Sequence, residues 1–247
     1  MRTSGELRSG VMTSQRRRVV MTGAAGRIGR AIAPELRARW ELVETDLYGR
    51  DGYVELDISD LARCRQLFAG AAAVVHLAAD PRPYAPWDDL LAPNIVGAYN
   101  VAQAAVDCEV PRLVLASSLQ AVTGRPPLTC TRSSDPPRPA NLYGATKAWA
   151  EAIGSWVASV SPTTVVAVRI GYFTNERPPV VAERLSSCAN WLSPRDACEL
   201  IRAAVEAEGF AFVVVNGVSA NRHLEAELSD ATVVIGYRPT DDAWSET

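Results

Sequence analysis

Short apolar runs rich in β-branched residues recur along this chain, and longer helical stretches separate most of them. The strand-like runs are Arg18–Thr22, Glu41–Asp46, Tyr53–Asp57, Ala73–Ala78, Arg112–Ser118 and Thr163–Ile170. Helical segments are expected near Arg27–Arg39, Asp60–Phe68, Asp88–Asp107 and Asn141–Ser159. AAVVHLAA, RLVLASS and TTVVAVRI are apolar almost without interruption, unlike the in–out alternation of a half-exposed sheet. Such strands must be covered on both faces, and helices between successive strands supply the cover. The pattern predicts an α/β fold of Rossmann type, a doubly wound parallel sheet.

Two loops break this rhythm. Gly124–Pro139 holds five prolines in 16 residues, and Gly171–Pro179 follows the sixth strand. Both lie after strand C-terminal ends, where open α/β sheets bind ligands. Beyond them a helix from Pro194, a strand at Phe210–Asn216 and a short amphipathic piece near Leu224–Leu228 are expected. The division read from this order is a flexible tail over 1–17, an NAD-binding Rossmann domain over 18–172, and a small C-terminal substrate-binding region over 173–247. That last region includes a strand returning to the sheet.

The first strand runs into Gly23, Gly26 and Gly29, spaced G-x-x-G-x-x-G, and then into a helix. Glycine there permits a tight turn and lets backbone N–H groups approach a pyrophosphate at the helix N-terminus. Ala25, Arg27 and Ile28 belong to the same loop. The second strand ends in an acid, Asp46, 17 residues after Gly29. A carboxylate in that place accepts ribose hydroxyls and repels a 2′-phosphate, so NAD is favoured over NADP. The other reading of Asp46 is a turn or cap residue, and Arg27 leaves NADP possible.

Tyr143 and Lys147 stand four apart in a helical segment and share one face. Ser117-Ser118 closes the strand before it. A tyrosine with its ordinary pKa of about 10 is no base at neutral pH, and a neighbouring positive charge lowers it. Tyr143 is thus a candidate base, with Lys147 lowering its pKa and Ser118 holding the substrate oxygen. The competing reading makes Tyr143 a core-edge aromatic and Lys147 a solvated charge. Composition weighs against that: Lys147 is the sole lysine among 25 basic residues. One lysine placed at random would follow one of the 7 tyrosines by four positions about 3% of the time.

Charge and cysteine usage exclude other classes. A net charge of −3 with pI ≈ 5.5 gives no footprint for nucleic acid. No apolar run reaches the roughly 18 residues of a membrane span. The N-terminal stretch has no apolar core, so it is not read as a secretion signal, and Arg16-Arg17-Arg18 is read as the end of a solvated tail. Five scattered cysteines and two isolated histidines form no metal-ligand pattern, so no metal is expected. A cytoplasmic location follows as the default.

With these motifs in hand, the chain resembles the extended short-chain dehydrogenase/reductase family, the NAD-dependent epimerase/dehydratase group. The matching residues are TGAAGRIG (22–29), Asp46, LDI (56–58), HLAA (76–79), PNIVGAYNV (93–101), LVLASS (113–118), YGATK (143–147) and RIG (169–171). Within the group the likeness is to uronate dehydrogenase-like members, through NWLSPRD (190–196), VNGVSAN (215–221) and GYRPTDDA (236–243). The resemblance implies that Asp57 and Ile58 flank adenine and that Leu77, Ala78 and Ala79 line the cofactor groove with Asn94 beneath. It also places Ser117, Tyr143, Lys147 and Ile170 against the cofactor. Substrate-facing positions depart from the relatives, at Asp80-Pro81-Arg82-Pro83 and at Leu119-Gln120, where uronate dehydrogenases carry Asn-His.

Asp80, Leu119, Gln120, Arg177 and Arg184 are the candidate substrate contacts; the two arginines suit a carboxylate or phosphate, or are simply solvated. His76 reads as a satisfied core histidine and Arg169 as a brace at the sheet end. Trp149, Trp156 and Trp191 suit helix packing or a homodimer interface. Cys130, in the proline-rich loop, is a weaker candidate for facing the substrate. The expected activity is NAD(H)-dependent hydride transfer at a hydroxyl or carbonyl of a small sugar-like or secondary-metabolite substrate. Epimerisation through a transient keto compound and non-catalytic redox sensing are the alternatives.

Overall fold

The computed structural model describes residues 16–126 and 129–245. The tail read at 1–17 therefore lies outside the described residues except for Arg16 and Arg17. Seven strands form one parallel sheet: β1 (Arg18–Thr22), β2 (Glu41–Asp46), β3 (Val54–Glu55), β4 (Ala73–His76), β5 (Arg112–Ser118), β6 (Thr164–Ile170) and, past two shorter strands, β9 (Phe212–Gly217). Their order is β3-β2-β1-β4-β5-β6-β9, so the winding reverses between β1 and β4. The shorter strands, β7 (Tyr172–Phe173) and β8 (Trp191–Leu192), pair parallel with each other near the end of β6.

Helices cover both faces, as the uninterrupted apolar strands require. α1 (Arg27–Arg39) and α7 (Pro194–Glu206) pack Ile32, Leu36, Leu200 and Ile201 over one face, against Val19, Met21 and Val168. α2 (Leu61–Phe68), α4 (Gly97–Asp107) and α5 (Leu142–Val160) cover the other with Phe68, Val101 and Val157, against Val20, Val74 and Leu113. Side-chain caps start three of these helices: Asp60 on the Arg63 amide, Asn141 on Gly144 and Ser193 on Asp196. α1 has none. Its cap position is Gly26 and its first turn holds no acid, so the amides there are left for something else.

Several expectations shift in the structure. The helix read over Asp88–Asp107 is three pieces: α3 (Trp87–Leu90), a π-helical stretch Leu91–Val96, then α4. Pro93 has no N–H to donate and its ring crowds the carbonyl four residues back, and a widened turn relieves both. The amphipathic piece near Leu224–Leu228 is extended at Ala226, which bridges to Thr131 of the proline-rich loop: the Thr131 N–H donates to the Glu225 carbonyl and the Thr131 carbonyl accepts the Glu227 N–H. Helix α8 follows at Ser229–Val234, and a short α6 (Leu185–Ala189) precedes β8. Among the described residues no helix is long and apolar enough to cross a membrane.

Candidate active site

A cleft of ≈ 550 Å³ opens along the C-terminal ends of β1, β4, β5 and β6, with Gly23, Gly26 and Gly29 at one end and Tyr143 and Lys147 on its wall. The glycine spacing has a steric cause. Gly23 has φ +69, and a Cβ there would lie 2.5 Å from the Ala78 amide nitrogen. At Gly29 a Cβ would lie 2.5 Å from the Ala24 carbonyl oxygen, so only glycine lets α1 seat against its own loop. A Cβ on Gly26 would meet only the Gly23 oxygen, 3.1 Å away. The uncapped first turn of α1 thus faces the cleft without a side chain in the way, a cradle that fits a pyrophosphate.

Asp46 stands beside this cradle. Its Oδ2 accepts the Ala25 N–H at 3.0 Å and its Oδ1 accepts the Leu47 N–H at 2.9 Å. Both readings of the residue are therefore compatible: it ties down the loop, and each oxygen keeps a lone pair for a further donor. Arg27 lines the cleft and makes no ion pair or side-chain hydrogen bond among the described residues. Its charge is one of the influences that favour the Tyr143 phenolate.

Ser118 is the last residue of β5, and its Oγ accepts the Gln120 N–H at 3.2 Å. Tyr143 lies opposite, in the first turn of α5. Gly144 allows the approach, because a Cβ there would sit 2.2 Å from the Gln120 carbonyl oxygen. Gln120 Oε1 accepts from Asn141 Nδ2 at 2.8 Å, fixing the helix start. Burial pushes the Tyr143 phenol up to about 12, opposed by the Ser118 hydroxyl and the Arg27 charge and aided by Asp80. Lys147 Nζ donates to the Ala116 carbonyl at 2.9 Å and lies 5.6 Å from the centre of the tyrosine ring. Burial lowers the lysine to about 8. Ser118 and Arg27 favour the phenolate, and the Lys147 ammonium stands close enough to the ring to act in the same direction.

Two polar networks hold the frame. Buried Asn94, carried inward by the π-helical turn, accepts the Asp80 N–H at 2.7 Å. Its Nδ2 donates to the Asp80 carbonyl and to Thr146 Oγ1, both at 3.0 Å, and Thr146 donates to the Tyr143 carbonyl. On the other side of α5, Ser117 Oγ donates to Glu151 at 2.6 Å. Glu151 pairs bidentately with Arg169, whose remaining donors take the carbonyls of Arg132, Ser133 and Asp135. Arg169 thus braces the proline-rich loop as well as the sheet end. His76 is buried against Thr22, its Nδ1 2.8 Å from the hydroxyl. Burial and the Lys147 charge push it down to about 3, which keeps it neutral.

Leu77, Ala79, Ser117, Ile170, Leu119 and Gln120 all line the cleft. Asp57, Ile58, Ala78 and Asn94 do not. Exposed Asp57 turns the chain by accepting the Ser59 N–H, and Ile58 packs where a Gly97 Cβ would otherwise go. Three expected substrate contacts are also off the cleft wall. Asp80 is held by Arg82, which also pairs with Asp89. Arg177 donates to the Ser245 carbonyl, and Arg184 is exposed outside the cleft. A charged side chain in a loop carries no sequence signal for its direction. Cys130 is exposed and off the cleft, and Trp191 is buried instead of lying on a helix face. The far wall comes from residues not among the expected site residues, chiefly Tyr172, Phe173, Ser186, Ser187 and Asn190, the last of which opens the NWLSPRD segment.

A parallel sheet in this order, with a glycine cradle at its reversal point and the YGATK helix across the cleft, defines a Rossmann-fold nucleotide-binding protein. The NAD dependent epimerase/dehydratase family model matches residues 19–179, and the chain belongs to that family. It is 35% identical over 249 residues to the NAD-dependent glucose-6-phosphate dehydrogenase of Haloferax volcanii, covering 91% of this chain and 94% of that protein. It is also 35% identical over 247 residues to the L-arabinose 1-dehydrogenase (NAD(P)(+)) of the same organism, covering 92% and 97%. A structure of uronate dehydrogenase from Agrobacterium tumefaciens, a tyrosine-to-alanine mutant complexed with NAD, aligns with TM-score 0.84 at 30% identity, covering 92% and 86%.

Proposed function

We infer that this protein is an NAD-dependent oxidoreductase that converts a hydroxyl of a small sugar-like compound to a carbonyl. The observation that carries the reading is the meeting of Ser118 and Tyr143 in one cleft, with the Lys147 ammonium 5.6 Å from the tyrosine ring. The family and the sugar dehydrogenases among its relatives support the same reaction class. NAD, when bound, supplies the hydride acceptor. Ser118 Oγ holds the reacting oxygen, and Tyr143 Oη takes its proton. Burial alone keeps the phenol protonated, so the base depends on Ser118, on the Arg27 and Lys147 charges and on any further positive charge brought into the cleft. Gly23, Gly26, Gly29 and Arg27 would hold the pyrophosphate, and Asp46 the ribose hydroxyls, which favours NAD over NADP. Lys147 holds the Ala116 carbonyl and so the end of β5.

A screen of hydroxy and keto compounds with NAD and with NADP, followed by nicotinamide absorbance, tests this. Turnover that survives Tyr143→Phe at near wild-type rate overturns the mechanism, and an epimeric product without net NADH overturns the reaction class. Val96, Tyr99 and Trp149 are exposed on the π-helical stretch, α4 and α5, with Trp156 stacked on Tyr99 at 6.4 Å. This face supports a homodimer, which sedimentation tests. All five cysteines are free, in keeping with a cytoplasmic location.

A further inference from the structure

Glu225 lies behind the far wall of the cleft and touches two of the residues that form it. Its Oε2 accepts from Ser186 Oγ at 2.8 Å and from Asn190 Nδ2 at 2.9 Å. A carboxylate can only accept, so the chemistry decides where both protons go. The Ser186 hydroxyl hydrogen is directed back at Glu225. Asn190 Nδ2 is likewise committed, donating also to the Ser186 carbonyl at 3.0 Å and, more weakly, to Ser186 Oγ at 3.4 Å. That leaves a Ser186 Oγ lone pair and Asn190 Oδ1 as the capacity these two cleft-lining residues have left. Both are acceptors.

Glu225 is itself firmly placed. Its backbone carbonyl accepts the Thr131 N–H at 2.8 Å and the Thr131 hydroxyl at 3.1 Å, through the bridge between Thr131 and Ala226. No arginine pairs with its carboxylate among the described residues, and the two loop arginines suited to an anion, Arg177 and Arg184, lie off the cleft. Among the described residues the cations lining the cleft are Arg27, in the glycine cradle at the cofactor end, and buried Lys147 beside Tyr143, and neither lies on the far wall.

We propose that Glu225, acting through Ser186 and Asn190, selects a neutral polyhydroxylated substrate over sugar acids and sugar phosphates. A hydroxyl can donate to the two acceptors that the wall presents. A carboxylate or phosphate dianion cannot use these two, is left with the Ser187 and Tyr172 hydroxyls as donors on that wall, and would also meet the Glu225 charge. Glu225 is a positioning residue: it fixes the polarity of the wall without reaching the reacting carbon. The inference rests on the dehydrogenase reading above and names the class of substrate for that same site.

The test is steady-state oxidation, with NAD, of matched sets on one carbon frame: glucose, glucuronate and glucose 6-phosphate, then the galactose counterparts. The expected result is a kcat/KM for the neutral sugar at least about tenfold above both anions, expressed mainly in KM. Glu225→Gln, which removes the charge and keeps the shape, is expected to shrink that ratio by about tenfold while leaving kcat for the neutral sugar within about twofold. Ser186→Ala, a second variant that leaves Glu225 in place, is expected to raise KM for the neutral sugar. An anion preferred by the wild type, or a ratio unmoved by Glu225→Gln, overturns the inference and leaves the dehydrogenase reading standing. No NADH from any compound in the panel overturns both.

Discussion

Replacing Glu151 by glutamine removes one charge from a buried ion pair and keeps its shape. The Glu151 and Arg169 side chains are 6% and 2% exposed. Oε1 accepts from Ser117 Oγ and from Arg169 Nε, and Oε2 accepts from Arg169 Nη2 at 2.8 Å. A glutamine amide has one acceptor end, so in either orientation its NH₂ faces a guanidinium donor. The arginine stays charged and buried with its counter-ion gone, a situation that costs about 3–5 kcal/mol. With a urea m-value of about 2–3 kcal/mol/M, the unfolding midpoint should fall by roughly 1–2 M. Circular dichroism in urea at neutral pH measures it. The double variant Glu151→Leu with Arg169→Met separates pair energy from other losses. It deprives the carbonyls of Arg132, Ser133 and Asp135 of their donor, at about 1 kcal/mol each, yet leaves no bare charge. It should therefore be less destabilised than the sum of its single variants by at least about 2 kcal/mol. A midpoint shift below about 0.3 M for Glu151→Gln, or simple additivity in the double variant, refutes the reasoning.

Lys147 has its pKa lowered to about 8 by burial, against 10.5 ordinarily. Between those values the unfolded chain binds a proton that the native chain does not, so native stability rises with pH there. Lys147→Met should accordingly be inactive yet more stable than wild type at pH 7, by about 1–2 kcal/mol after loss of the bond to Ala116. That gap should close as pH climbs from about 8 to 10.5, and a pH-independent gap in urea midpoints contradicts the assignment. Gly144→Ala should cost about 1–3 kcal/mol and more than tenfold in kcat, since the Gln120 backbone must move away from Tyr143. Gly154→Ala serves as its control, because a Cβ there would meet the Leu115 side chain at 2.8 Å instead of backbone. Asp46→Ser should bring the kcat/KM values for NAD and NADP at least about tenfold closer, and an unchanged ratio shows that Asp46 only ties down the loop.

Where one local pattern decides an element, residue reading and structure agree to the residue: β1, β2, α1 and β5 have the bounds expected of them. The glycine cradle and the Tyr143–Lys147 face were legible for the same reason, since each is built within two helical turns. Elements decided by tertiary pairing were not. LEAEL at 224–228 satisfies helical and extended spacing alike, and a bridge to Thr131, some 95 residues away, settles it. The π-helical turn hides inside a helical pattern because its signal is one proline. Ser186 and Glu225 carry no motif, and Asn190 opens the NWLSPRD segment without any sign in it of a place on the cleft wall. They form a wall only because β7 and β8 pair and the Thr131 bridge brings the last segment alongside.

The π-helical stretch between Leu91 and Val96 also changes what the helices around it can do. An α-helix that continued unbroken from Trp87 to Asp107 would keep one buried stripe throughout. The extra residue in the wide turn resets the angular phase, and the two ends serve different neighbours. Leu90 packs with Ala85 and Tyr143, while Val101, Ala102 and Ala105 belong to the sheet core. The wide turn works as a gear coupling between two surfaces, with Asn94 at its axle. Substitutions before it adjust the floor under Tyr143, and those after it adjust the support of the sheet, so the two can be varied separately.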